Sequence, residues 1–102
     1  MYEVVYLPTA RKQLTNAVLY IAKELSAPDA AENLLVAVDE QIAELCIHPY
    51  RHPIYHSLYA MKHEIRFFPV KGYLVFYVVK EERTTVEIWR FLHQRQNMNK
   101  HL

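Results

Sequence analysis

A chain of 102 residues has room for one hydrophobic core and not two, so residues 1–102 are expected to form a single domain. An apolar share of 52%, with eight tyrosines, four phenylalanines and one tryptophan, is ample for burial and leaves some apolar surface over for a partner. The net charge of +1 hides a division: residues 1–61 carry four basic and seven acidic side chains, net −3, and residues 62–102 carry eight and four, net +4, so an anionic partner is expected to prefer the second half.

Membrane and export roles find no support in the chain, which contains no run near the ~18 unbroken apolar residues of a membrane span and no signal-peptide succession at its N-terminus. With one cysteine, Cys46, no internal disulfide can form, and a reducing cytoplasm fits best. Tyr2 to Leu7 is rich in β-branched and aromatic residues and stops at Pro8, which predicts a short strand. Thr9 is then the expected N-cap of a first helix running to about Leu25, with Ala10, Leu14, Ala17, Val18, Ile21, Ala22 and Leu25 on one apolar stripe. Ser26-Ala27-Pro28 breaks it, and Pro28 suits the first position of a second helix because its missing N–H would be unpaired there anyway. Ala31, Leu34, Leu35, Val38, Ile42 and Leu45 form the second stripe, ended by Pro49. So short a connection makes the two helices an antiparallel hairpin.

Residues 49 to 60 have no period and read as an irregular crossing loop. Three strands follow: Lys62 to Phe68, Tyr73 to Val79, and Thr85 to Leu92. The second is apolar throughout and is expected in mid-sheet. Gly72 marks the first turn, where a positive φ is easiest, and the charged run Lys80 to Arg83 marks the second. The fold class is therefore α+β, in the order β-α-α-β-β-β, with a helical hairpin packed on a C-terminal antiparallel sheet.

Several chemistries are weak in this sequence. His48, His52 and His56 recur at four-residue intervals, but Pro49 and Pro53 prevent the continuous helix that would gather them around a metal. Cys46 lies on or beside an apolar stripe and reads as a small buried hydrophobe. There is no Gly-rich phosphate loop or nucleophile elbow, and no cofactor is expected. What remains is polar density on the strands: Glu64, Arg66, Lys71, Tyr77, Arg90, His93, Arg95 and Lys100. Cleaving RNA without a metal needs a base, an acid and cations for the charge on phosphorus, and these residue types can supply all three. The alternative for each is plainer: solvated strand-end charges, Glu64 paired with Arg66, and Tyr77 in the core. His93 shares strand parity with Glu87, Trp89 and Phe91, which would place it on an aromatic-bearing face.

Element order and motifs together resemble the RelE/ParE superfamily of bacterial toxins from type II toxin-antitoxin modules. The carriers are Tyr20-Ile21-Ala22, Ala43-Glu44-Leu45 with Pro49, Arg66, Gly72-Tyr73-Leu74-Val75-Phe76-Tyr77, and Arg90-Phe91-Leu92-His93-Gln94-Arg95, spanning essentially the whole chain. The resemblance implies a growth-inhibiting toxin, neutralised by a cognate antitoxin with which it can form a hetero-oligomer, and it implies two mechanisms on one fold. A ParE-like toxin poisons DNA gyrase without chemistry of its own. A RelE-like toxin cuts mRNA on the ribosome; the catalytic set would then be Arg66, His93 and Arg95, with the arginines on phosphate and His93 as acid or base. Lys71, Tyr77, Arg90, Gln94 and Lys100 are the residues expected to contact the target. A non-toxic member retained for protein interaction is the third reading. The tail from Leu92 to Leu102 looks more like ParE endings, and a net charge of +1 is weak for docking into ribosomal RNA, so gyrase poisoning is the leading expectation.

Overall fold

The computed structural model describes residues 1–56 and 62–95. Strand β1 (Glu3–Tyr6), helix α1 (Pro8–Leu19), helix α2 (Pro28–Ile47) and strands β2 (Ile65–Val70), β3 (Tyr73–Lys80) and β4 (Thr85–His93) follow one another along the chain. Strand order in the sheet is β1-β4-β3-β2, antiparallel except for β1, which runs parallel to β4 with Glu3 opposite Thr85 and Tyr6 opposite Ile88. The expected three-stranded antiparallel sheet is therefore extended to four strands by the N-terminal one. The apolar strand β3 is interior, as its composition requires.

Local chemistry explains most boundaries. Pro8 itself takes the first turn of α1, and Leu7 caps it in extended backbone with no side-chain hydrogen bond. Thr9 is thus already inside the helix and does not cap it, because proline's fixed φ and absent N–H suit the first helical position better than the residue before it. After Leu19 the helix widens into a π-helical turn, Tyr20–Glu24, closed by the Leu25 N–H donating to the Tyr20 carbonyl at 3.1 Å. Pro28 opens α2. Strand β2 lies later than the expected 62–68 and includes Pro69, which is exposed; proline is tolerated there because β2 ends the sheet. Lys71 and Gly72, at φ +48° and +84°, form a two-residue turn with Val70 paired to Tyr73, and positive φ at both positions matches the right-handed twist of the strands.

Both helices cover one face of the sheet. Ala10, Leu34, Val38 and Leu45 pack on Phe68, Val70, Val75, Tyr77, Val86, Ile88 and Phe91; burying each large apolar side chain is worth roughly 1.5–3 kcal/mol. A smaller cluster of Ile65, Phe76, Val78 and Leu92 occupies the other face, with Tyr55, Phe67, Leu74 and Trp89 packed against it. The β3–β4 register slips between Phe76, opposite Arg90, and Tyr77, opposite Ile88. Trp89 is the extra residue of this β-bulge.

The bulge corrects the expected parity of β4. Glu87 and Trp89 share one side, where the indole Nε1–H donates to the Glu87 carboxylate at 3.1 Å. Past the bulge the strand turns over. Phe91 lies in the helix-facing core, and His93 lines a cleft against α1. His93 therefore does not share a face with Glu87 and Trp89.

Candidate functional site

The polar residues singled out in the sequence separate into two groups at opposite ends of the sheet. At one end, the turn between β2 and β3 meets the end of β4. Tyr73 pairs directly with His93, and the Gln94 N–H donates to the Gly72 carbonyl at 3.1 Å, which brings Lys71, His93, Gln94 and Arg95 together. All four are exposed. The Arg95 N–H donates to His93 Nδ1 at 3.2 Å, folding the chain back toward the imidazole. The Tyr73 ring stands between its neighbours, stacked on Phe91 at 4.9 Å and edge-on to His93 at 5.4 Å. Lys71 and Arg95 form no ion pair among the described residues.

Beside this end, α1 presents Gln13, Asn16 and Ala17, and the π-helical turn presents Tyr20, to Tyr73, Phe91 and His93, lining a cleft of about 350 Å³. Gln13 helps hold the cleft's wall, its Oε1 accepting the Phe91 N–H at 2.8 Å. Burial pushes the Tyr73 hydroxyl's pKa above the usual tyrosine range, helped by the nearby Tyr20. Neither Gln13, Asn16 nor Tyr20 stood out in the sequence as a site residue. Their spacing of three and four residues does align them on one helical stripe next to the apolar one, and that is the signal that was available.

At the other end, polar groups fasten chain segments to one another. Arg66 donates to the His52 carbonyl at 2.8 Å, the Tyr50 carbonyl at 3.3 Å and Glu64 Oε1 at 2.6 Å, and its guanidinium lies over the Tyr50 ring, 5.1 Å from the centroid. Only 16% of its side-chain surface is exposed. The crossing loop is also tied to β2 by backbone bonds, Tyr55 N–H to the Ile65 carbonyl at 2.7 Å and Phe67 N–H to the Pro53 carbonyl at 3.1 Å, which covers part of the sheet edge. Glu81 accepts from the Tyr2 hydroxyl at 2.7 Å and from the Tyr50 hydroxyl. Those bonds hold the Glu81 carboxyl below the usual carboxylate range and push Tyr50 up to about 12.

Tyr77 belongs to this fastened end. It is fully buried, and its hydroxyl donates to the Pro49 carbonyl at 2.7 Å; burial pushes it up to about 12. It is a core residue that anchors the loop and has no surface to offer a target. His52 stacks on Phe68 at 4.7 Å, and its Nε2 has no hydrogen-bond partner among the described residues. Burial, assisted by Arg51, pulls its pKa below the ordinary 6.5. Among the described residues no three His, Cys, Asp or Glu side chains gather as metal ligands.

The expected catalytic trio is thus split. Arg66 sits opposite Tyr77 and His93 opposite Tyr73, four residues apart along β3 and two strands apart, or roughly 16 Å between backbones. Arg90 lies in β4 next to the bulge, with its guanidinium donating to the Trp89 carbonyl at 2.7 Å. Lys100 lies outside the described residues. Among the described residues, Lys71, His93, Gln94 and Arg95 form the exposed cluster that the fold assembles from the predicted set.

Comparison with known proteins adds a family. The family model described as ParE toxin of type II toxin-antitoxin system, parDE, matches residues 4–98. No curated protein matches the sequence. Among solved structures, the chain is similar to one from the chromosomal ParDE toxin-antitoxin system of P. aeruginosa, with a TM-score of 0.70 and 16% identity over 91% of this chain and 96% of that one. It is also similar to one from the RelBE2 toxin-antitoxin complex of Mycobacterium tuberculosis, with a TM-score of 0.63 and 22% identity over 91% and 98%. At these identities the likeness is one of fold.

Proposed function

This chain belongs to the ParE toxin family of type II toxin-antitoxin systems, and we propose that it inhibits growth by poisoning DNA gyrase and is neutralised by a cognate antitoxin. One observation carries the choice of target. A ribonuclease of this fold would need Arg66, His93 and Arg95 around a single phosphate, whereas Arg66 is committed to the carbonyls of Tyr50 and His52 and to Glu64. Bringing it to the phosphate would break those bonds; the part-buried His52 carbonyl would lose its partner at a cost of about 1–3 kcal/mol, while the other two acceptors are open to water. A poison that acts by contact needs no such convergence.

An antitoxin is supported by the apolar surface of the helical hairpin, where Leu19, Leu35 and Val36 are 46%, 38% and 48% exposed. A helical or extended segment laid on such a surface removes it from water. The proposed site of action is the cytoplasm, whose reducing conditions suit the single cysteine, Cys46.

The second reading, a ribosome-dependent mRNA endoribonuclease, has one observation in its favour: His93 stands with the cations Lys71 and Arg95 at one exposed end of the sheet. A paired assay separates the two. The purified toxin is expected to block gyrase supercoiling and accumulate cleaved plasmid while leaving mRNA whole in a translating extract. Intact supercoiling with mRNA cut in the ribosomal A site would overturn the gyrase reading.

A further inference from the structure

A second cleft of about 350 Å³ lies between α1 and α2, over Tyr6 of β1. Leu14, Val18, Leu19 and Leu35 make much of its wall apolar, while Arg11 on α1 and Asp39 on α2 bring opposite charges to it, both exposed. Tyr6 marks the charged end. The Arg11 guanidinium lies over its ring, 5.3 Å from the centroid. Burial, helped by Asp39 and opposed by Arg11, pushes its hydroxyl's pKa above the usual tyrosine range.

Neither charge is spent by the fold. Arg11 and Asp39 form no ion pair among the described residues. Arg11 also stands near the start of α1, where a cation opposes the helix dipole, and the first turn holds no acidic residue to offset it. An apolar cleft alone accepts any hydrophobic segment. With a cation and an anion beside it, covering the cleft takes both out of water, so a segment with mismatched charges leaves them buried and unpaired.

We infer that Arg11 and Asp39 are the specificity-determining pair of the antitoxin interface. An amphipathic antitoxin helix seats an apolar side chain among Leu14, Val18 and Leu35, with a carboxylate opposite Arg11 and a cation opposite Asp39. This pairing rests on the antitoxin reading of the helical hairpin and sharpens it, by naming the chemistry through which the toxin distinguishes its own antitoxin from other segments that fill an apolar groove.

Three variants of the full chain separate local pairing from overall charge. Arg11→Glu makes the chain more acidic, Asp39→Lys makes it more basic, and the exchange of Arg11→Asp with Asp39→Arg leaves the net charge as it was. Titration calorimetry against the purified antitoxin encoded in the same module is expected to show all three weakened by roughly 30-fold or more. Thermal melts verify that each variant folds, and Arg11→Glu is expected to melt no lower than the parent because an acid suits the helix start. Its loss of affinity is then not a loss of structure.

Long-range attraction alone would move the two single reversals in opposite directions and spare the exchange, and that pattern would overturn the inference. So would full affinity in a protein carrying Arg11→Ala and Asp39→Ala, since the apolar cleft would then suffice. A wild-type toxin that self-associates in sedimentation runs, and is made monomeric by the exchange, would make the cleft a contact between copies and overturn it as well. Failure of the wild-type chain to bind antitoxin would overturn the antitoxin reading and the pair with it, whereas binding indifferent to the variants would remove the pair alone. Supercoiling inhibition without antitoxin is expected to be the same in every variant, so it judges the gyrase reading separately.

Discussion

The two ends of this sheet carry similar residue types and use them in opposite ways. Around Tyr2, Tyr50, Arg66, Tyr77 and Glu81, each hydroxyl, guanidinium or carboxylate bonds to another segment, so N-terminal strand, crossing loop and β3–β4 turn are held as a unit. Around Lys71, His93, Gln94 and Arg95, the side chains are exposed, and the ties are the Gln94 N–H to the Gly72 carbonyl and the Arg95 N–H to the His93 imidazole. The difference teaches that basic charge alone does not locate a binding site. A cation whose hydrogen bonds are already spent inside the fold contributes stability, and one left at the surface is available to a ligand.

The largest effect is expected from Arg66→Ala. Removing a guanidinium that holds two carbonyls and a carboxylate should cost about 2–3 kcal/mol, read as a fall in the urea midpoint. An unchanged midpoint together with lost toxicity would move Arg66 from the fastened end to the functional one. Tyr77→Phe is next. It leaves the buried Pro49 carbonyl unpaired, for about 1–2 kcal/mol, with supercoiling inhibition retained once the variant is folded.

Acid should loosen the fastened end in two stages. The folded-state pKa of His52 is depressed below 6.5, so the unfolded chain binds more protons in that interval; the contribution of neutral His52 is complete above pH 6.5 and is lost as pH falls through its folded value. Glu81, also depressed, from 4.5, gives up its contribution further down, as pH falls below its unfolded value. Melting temperatures measured from pH 8 to pH 3 should decline in that order. A His52→Phe protein should lack the first step, and persistence of that step would remove His52 as its source. The smallest effect belongs to the other end, where Lys71→Asn and Arg95→Gln should alter stability by no more than about 0.5 kcal/mol. A large destabilisation by either would mean that this end is a fastening too.

How much of this was legible in the sequence depended on whether the signal was local. Pro28 at the start of α2, Gly72 in the tight turn and the apolar run of β3 each act through their own backbone, and the structure follows them. Thr9 misled because proline and threonine competed for the same helix start. β2 runs past the expected end at Phe68 through Pro69, which an edge strand tolerates. The parallel pairing of β1 with β4 leaves no trace in either strand. The bulge at Trp89 was also silent, yet it decides which face His93 occupies, since one extra residue reverses an alternation of period two. Arg66 and Tyr77 could be assigned only after the path of residues 49–55 was known, because their partners are carbonyls of that loop, which any sequence would supply.

The pairing of Glu3 with Thr85 also has a bearing on time. A strand at the beginning of the chain finds its neighbour only after more than eighty further residues have been synthesised, and pairings so distant in sequence are the slow ones to form. Until β4 is made, β1 has no place in the sheet and the β3 edge that β4 will occupy lies open. A nascent chain therefore cannot assemble the end of β4, and with it the cationic cluster, until β4 itself has been made, so the order of translation itself delays the completion of that surface.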